Sequence, residues 1–382
     1  MLVPYPTIQG PLPKIVPLLM EALRQLGCDV ETECWSRHSD HESLLEKTLG
    51  RAGDLGRIRT RLRARRFDVL FITTAHTTAA LTRDIPLVLA TQRSCPHRVI
   101  QFHGSSSAQL SSHGHTVLRW ASRLLISHCD AVLVLSEQER REWASFCPDG
   151  RFEVVANPFV PASGGTGLDG PADNTGRPEA APQPRYRSGV PTILFVGRLM
   201  PEKGILDLIR AVAELNRSMP CRLLVAGDGP SASDASDLAD GLGIGDRVAL
   251  LGYASESGLM LCYREADVFA LPTYYAEGFP TVILEAMSAG LPVVTTAHRG
   301  AVDRLEEGIN ALFVSPRHPV ALADALGRIL RDDPLRAAMA ASNLAKVREF
   351  APEVVGPRYL AILESVIGGP ANGQHFALPT TS

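Results

Sequence analysis

Two carboxylates eight positions apart, Glu277 and Glu285, stand in the segment Tyr275-Ala276-Glu277-Gly278-Phe279-Pro280-Thr281-Val282-Ile283-Leu284-Glu285-Ala286-Met287. Read as a helix, residues 281–289 are apolar on nearly every side, and such a helix is normally buried. A lone carboxylate within it is desolvated, and an unpaired buried charge is costly or is neutralised. Glu285 therefore calls for a polar partner. Glu277 precedes the helix, where the backbone N–H groups of residues 278–281 can point outward at an anion or a polar ligand. The segment reads as a ligand site.

A second constellation is Gly197-Arg198-Leu199-Met200-Pro201-Glu202-Lys203-Gly204, which follows an apolar strand at 192–196 and opens a helix. A glycine at the strand end permits close approach of the backbone. Two cations five residues apart beside a helix N-terminus make an anion trap. A diphosphate suits it, with Arg198 bidentate and Lys203 as a point charge. Taken alone, two surface cations in a loop account for the same residues equally well.

These segments need elements to position them, and the chain alternates short apolar strands with amphipathic helices on both sides of one break. The break is 161–189, with five Pro and six Gly in 29 residues, and it reads as a flexible linker. Before it, strands are expected at 69–72, 87–90, 99–102, 131–135 and 153–155, after a very short first strand at the N-terminus. Helices are expected at 12–26, 107–127 and 137–146. After the break, strands are expected at 192–196, 222–226, 248–251, 268–271, 293–295 and 311–314. Helices there begin near 204, 233, 257, 281 and 319. The pattern predicts an α/β protein of two Rossmann-like doubly wound domains, 1–160 and 190–350, facing a central cleft. A helix at 351–367 is expected to cross back to the first domain, and 368–382 to be a disordered tail.

The 382 residues, 45% hydrophobic and 21% charged, match ordinary soluble domains, and a net charge of −3 argues against nucleic-acid binding by bulk charge. Seven scattered cysteines without a Cys-x-x-Cys suit reduced thiols rather than disulfides or a zinc site. No apolar run reaches the length of a membrane span, and the N-terminus lacks a signal-peptide pattern. A cytoplasmic location is expected. Residues 1–150 are mildly basic, with 18 Lys/Arg against 15 Asp/Glu. Within them Arg51, Arg57, Arg59, Arg61, Arg63, Arg65 and Arg66 form a run interleaved with Leu55, Ile58 and Leu62. Two readings stand: a basic amphipathic helix on the anionic inner face of the membrane, or a solvated helix packing one stripe on its own domain. His113 and His115 suggest a metal pair, but with no third ligand nearby a solvated pair is the better reading. Gly227 and Gly229 form half of a dinucleotide fingerprint, which counts against an NAD enzyme.

Four features in order along the second half carry a resemblance: Gly197-Arg198 with Lys203-Gly204; Ala226-Gly227-Asp228-Gly229-Pro230; Glu277 with Glu285; and Gly290-Leu291-Pro292-Val293-Val294. Residues 191–316 resemble the C-terminal half of retaining GT-B glycosyltransferases of family 4. The resemblance implies a nucleotide-sugar donor, with Gly197, Arg198 and Lys203 at its diphosphate and Glu285 at the ribose hydroxyls. Glu277 and the amides of Gly278, Phe279 and Thr281 would face the donor sugar and phosphate. Gly252 and Tyr253 would lie near the base.

In the first half Gln101-Phe102-His103-Gly104-Ser105 resembles the family's strand-end His-Gly, which would set the imidazole of His103 by the transferred sugar. A histidine at a strand end is otherwise an ordinary core residue. Asn157-Pro158 departs from the usual Asn-Gly. Gln9-Gly10-Pro11 has one glycine where the family often has two, so a phosphate or acceptor contact of Gly10 is carried by the resemblance alone. The expected reaction moves a sugar to a hydroxyl of a glycan, a lipid-linked acceptor or a small molecule, with retention, in bacterial surface polysaccharide or glycolipid synthesis. The catalytic set expected is His103, Glu277, Arg198 and Lys203. The chain has no Asp-x-Asp, so Arg198, Lys203 and the helix N-termini are expected to replace a metal ion, and no cofactor is called for. Two alternatives remain open: a GT-B sugar-nucleotide epimerase, and a non-catalytic nucleotide-sugar-binding protein.

Overall fold

The computed structural model describes residues 1–3, 12–35, 44–105, 107–111, 115–161, 189–275 and 278–368. Gly10, His113, Glu277, most of the 161–189 segment and the tail from 369 lie outside the described residues. The chain divides into two compact units, Met1–Pro158 with Pro352–Ser382, and Phe159–Ala351.

In the first unit β1 (Leu2–Val3), α1 (Leu12–Gln25), β2 (Glu33–Cys34), α2 (Leu44–Ala64), β3 (Val69–His76) and α3 (Thr78–Thr91) come first. They are followed by β4 (His97–Ser105), α4 (Thr116–Ile126), β5 (Ala131–Val134), α5 (Glu137–Phe146) and β6 (Phe152–Val154). The second unit runs β7 (Thr192–Val196), α6 (Ile205–Asn216), β8 (Arg222–Ala226), α7 (Ala232–Gly241), β9 (Val248–Leu250) and α8 (Glu256–Glu265). It continues with β10 (Val268–Leu271), α9 (Thr281–Ser288), β11 (Val293–Thr296), α10 (Gly300–Arg304), β12 (Ala311–Val314), α11 (Pro319–Arg331) and α12 (Asp333–Lys346). The last helix, α13 (Pro352–Ile367), belongs to the first unit, where it packs on α1.

Each unit holds one six-stranded parallel sheet, ordered β2-β1-β3-β4-β5-β6 and β12-β11-β10-β7-β8-β9. The central strands β5 and β7 are buried at every residue, as parallel strands covered on both faces must be. In a parallel sheet all strand exits lie on one edge. In the second sheet the chain leaves β7 toward β8 on one side, while β10 leads to β11 on the other. The crevice between the β7 and β10 exits is therefore the topological switch point, where such sheets take their ligands.

One expected strand is absent. Residues 87–90 lie in α3, not in a strand. Seen alone, Leu87-Val88-Leu89-Ala90 is a short apolar run without a period. From Thr78 onward, however, the buried positions Ala80, Leu81, Asp84, Leu87, Val88 and Thr91 recur at helical spacing. Thr77 caps the helix start by accepting from Ala80 N–H, and Pro86 is accommodated within it.

The arginine-rich run forms the second half of α2, and its apolar stripe turns inward. Ile58 and Leu62 are buried in the first unit's core, with Leu55 packed against them. Arg61 pairs with Glu31 and Glu33, and Arg65 with Asp29 and Glu31. Arg57 pairs with the buried Asp54 at 2.6 Å.

Candidate active site

The exits of β7, β8 and β9 are laced together by main-chain hydrogen bonds. Gly197 N–H donates to Ala226 O at 3.0 Å, Leu199 N–H to Asp228 O at 2.9 Å, and Gly227 N–H to Gly252 O at 2.8 Å. The loops lie so close that a Cβ on Gly227 would stand 1.9 Å from Gly197 O, and Gly227 itself has φ 145°. Only glycine fits both demands. This is the reason for a glycine pair that the sequence offered only as half a fingerprint. Beyond Gly252 the ring of Tyr253 stands 76% exposed.

Arg198 lies on this edge, exposed and without an ion-pair partner among the described residues. From Met200 the chain makes one tight turn of helix, Pro201–Lys203, closed by Gly204 at φ 77°. A Cβ on Gly204 would come 2.4 Å from Pro272 O. That contact seats the turn on the exit of β10, where Tyr274 N–H donates to Glu202 O at 2.8 Å. Lys203 is half-buried, and its ammonium lies 5.2 Å from the centre of the Tyr275 ring. The β7 and β10 connections are thus joined at the switch point, and both cations belong to it.

On α9 the apolar residues Ile283, Leu284, Ala286 and Met287 are buried, but Val282 and Glu285 are only half-buried. The helix is open on one side, contrary to burial all round. Glu285 also has a partner of the protein's own, since Tyr263 on α8 donates its hydroxyl to the Glu285 carboxylate at 2.9 Å. Burial first, and then the Glu285 charge, raise the Tyr263 phenol well above its ordinary value, so it remains a donor. The polar partner that Glu285 calls for is thus supplied within the protein by Tyr263. Gly278 is buried, and its carbonyl accepts from Gly300 N–H at 2.9 Å. The Phe279 ring stacks on Phe350, with centroids 5.6 Å apart, so its side chain packs and only its amide is left to a ligand. Thr281 opens α9.

In the first unit His103 sits near the end of β4 with both ring nitrogens buried and, among the described residues, neither hydrogen-bonded. Desolvation pulls its pKa from 6.5 down to about 3, so the imidazole is neutral at pH 7. A satisfied core histidine would have a partner. His76, by contrast, has one: its Nε2 lies 2.9 Å from Ser122 Oγ.

The structure therefore gathers Gly197, Arg198, Lys203, Gly252, Tyr253, Gly278, Phe279, Thr281 and Glu285 at or beside the strand exits of the second unit, with His103 in the first. Tyr263 and Tyr275 were missed. They meet Glu285 and Lys203 across 22 and 72 residues of sequence, a pairing that no local pattern encodes.

The model of Glycosyltransferase Family 4 matches residues 18–162, and that of Glycosyl transferases group 1 matches residues 176–344. An uncharacterized glycosyltransferase of Methanocaldococcus jannaschii is 38% identical over 140 residues, covering 37% of this chain and 36% of that protein. The alpha-D-kanosaminyltransferase of Streptomyces kanamyceticus is 31% identical over 256 residues, 63% of each chain. The chain thus spans less than two thirds of these relatives' own length. Among solved structures, Anabaena Alr3699/HepE in complex with UDP-glucose superposes with a TM-score of 0.67 at 20% identity, over 95% of this chain and 98% of that one. The fold is GT-B.

Proposed function

For a chain that carries the two domains of GT-B glycosyltransferases, we propose a sugar transferase that uses a nucleoside-diphosphate sugar as donor and a hydroxyl as acceptor. The observation that carries this reading is the switch point of the second sheet. It presents an exposed Arg198, unpaired among the described residues, a half-buried Lys203 and a half-open Glu285 held by Tyr263. Arg198 and Lys203 would take the diphosphate and stabilise it as it departs. Glu285 would accept from the ribose hydroxyls, and Tyr253 would lie near the base. Neutral His103 would offer a hydrogen bond to the transferred sugar rather than a charge. Glu277 and the amides of Gly278, Phe279 and Thr281 would hold the sugar and the phosphate next to it, and Gly10 is kept as a phosphate or acceptor contact.

Fixed positive charge would stand in for a divalent ion, so transfer would proceed in EDTA. Attack on the face from which the diphosphate leaves, with that diphosphate taking the acceptor proton, would retain the anomeric configuration without a protein nucleophile. The acceptor would be a glycan, a lipid-linked intermediate or a small molecule in cytoplasmic surface-glycan synthesis. Since the apolar stripe of α2 faces inward, membrane contact would be electrostatic, through exposed arginines such as Arg63 and Arg66. Sedimentation with anionic vesicles that did not respond to salt would discard it.

The deciding experiment is a thermal-shift series with UDP-, GDP- and ADP-sugars. At 100 times its dissociation constant a bound donor adds about 2.7 kcal/mol. One base should raise the unfolding temperature and the other two should not. If none did, the donor reading would fail. Donor incubated without acceptor, followed by NMR, separates transfer from epimerisation.

A further inference from the structure

Three neighbouring helices of the first unit show charge of one sign to solvent. α2, α3 and α4 pack over the core that holds Ile58, Leu87 and Leu118, and α3 touches both of the others. In α2 from Leu49 onward, and in all of α3 and α4, the carboxylates are Asp54 and Asp84, each 0% exposed. The exposed side chains of these helices include Arg63 and Arg123, and Arg93 is exposed just past the end of α3. Acidic residues return on α5, with Glu137 and Glu142, so the cationic surface ends there.

α4 adds apolar side chains to that surface. Its Leu118, Ser122 and Leu125 are buried, whereas Val117 is 75% and Trp120 65% exposed. Three residues apart, Val117 and Trp120 share one face of the helix, and half-buried Leu124 extends it. Arg119 and Arg123 flank this stripe, with their guanidinium carbons 5.1 and 4.8 Å from the centre of the Phe146 ring. Of the chain's three tryptophans the other two, Trp35 and Trp143, are buried. One exposed apolar residue needs no explanation. A Val–Trp pair edged by arginines, on helices without an exposed carboxylate, is the composition of a helix that lies in a lipid interface. Tryptophan favours that depth, and arginine stems reach from it to phosphate. A second copy of the chain would set the same arginines face to face. A nucleic acid would leave Val117 without a partner.

We infer that α4 docks the first unit on an anionic lipid surface, with Trp120 and Val117 entering the interface and Arg63, Arg119 and Arg123 meeting lipid phosphates. The inference does not depend on the donor reading. It shares the arginines of α2 with the electrostatic contact given above, and adds an apolar anchor on another helix.

The test uses the intact chain with vesicles of phosphatidylcholine alone and of phosphatidylcholine mixed with phosphatidylglycerol. Because Trp35 and Trp143 are buried, the solvent-exposed part of the tryptophan emission belongs to Trp120. That emission should move to shorter wavelength with the anionic vesicles and stay in place with the neutral ones and with heparin. In co-sedimentation, Trp120→Ala should bind the anionic vesicles about tenfold more weakly, through loss of one large apolar side chain from the interface. Arg123→Gln should bind them roughly fivefold more weakly, the effect of one cation near a charged leaflet. Both side chains are exposed, so unfolding temperatures should hold. Salt-sensitive sedimentation with the Trp120 emission unmoved would leave the contact to the α2 arginines and overturn the inference. So would Trp120→Ala that sediments like wild type. An equal shift with neutral vesicles or with heparin would remove the anionic lipid surface as the partner and overturn it likewise. The emission measurement needs no variant, so it decides the matter even where a variant fails to fold.

Discussion

The two units share a sheet type but hold their polar groups differently. At the strand-exit edge of the second unit the contacts are main chain to main chain, Gly197 to Ala226 and Gly227 to Gly252. Inside the first unit they are side chain to side chain. Buried Asp84 accepts from Trp35 Nε1 at 2.8 Å, from Thr74 Oγ1 at 2.7 Å and from Arg83 Nε at 2.7 Å. Gln101 donates to Asn157 at 3.2 Å and to Tyr359 of α13 at 2.8 Å. Main-chain lacing joins the loops without using side chains, and it demands glycine. Side-chain networks fix an interior and demand that every member be present.

The contrast can be broken by removing one member from each side. Asp84→Ala should be the most damaging to stability, because it strands Trp35 N–H and the largely buried Arg83 guanidinium together. A loss of about 3–5 kcal/mol is expected, read from urea unfolding. A loss below about 1 kcal/mol would mean that water replaces the carboxylate and that the network is not the first unit's staple.

On the other side, Arg198→Ala should leave stability nearly untouched, since its side chain is exposed and has no ion-pair partner among the described residues. It should slow transfer by on the order of 10²-fold, about 3 kcal/mol of transition-state stabilisation. Gly227→Ala tests the lacing itself. It drives a methyl into Gly197 O at a φ that alanine resists, and should cost about 2–4 kcal/mol of stability. Donor affinity should fall with it.

What was legible follows the same division. The doubly wound plan could be read because strand and helix periods alternate locally, and the Arg198, Lys203 and Glu285 positions because glycine and charge mark strand exits. The failure at 87–90 came from weighing four apolar residues outside the helical window to which they belong. Tyr263, Asp84 and the Gln101–Tyr359 bond could not be read, because their partners are set by tertiary approach over 22, 49 and 258 residues.

His76 offers a smaller probe of the side-chain interior. Ser122 Oγ already donates to Leu118 O, so His76 Nε2 must be the donor to it, leaving a neutral ring packed against Phe102 and Trp143. Burial lowers its pKa from 6.5 to about 4. Between those values the unfolded chain binds the extra proton, so stability falls as pH drops from 6.5 toward 4. From pH 7 to pH 5 His76 should account for about 2 kcal/mol of loss. His76→Phe keeps the ring packing and should remove that part of the pH dependence. Parallel curves for variant and wild type would show that the ring titrates without leaving the core.

The smallest effect expected is at Tyr263, where the two styles meet in one bond. Tyr263 is a buried interior residue, yet its hydroxyl holds a carboxylate that is half open to solvent. In Tyr263→Phe, water can reach Glu285, so stability should change by about 1 kcal/mol or less. The carboxylate would regain rotamer freedom that binding must then remove, at about 0.5–1.5 kcal/mol. Donor affinity should therefore weaken by roughly 2- to 10-fold while the unfolding midpoint hardly moves. An unchanged affinity would mean that α9 alone sets the carboxylate and that Tyr263 belongs to the packing of its own unit.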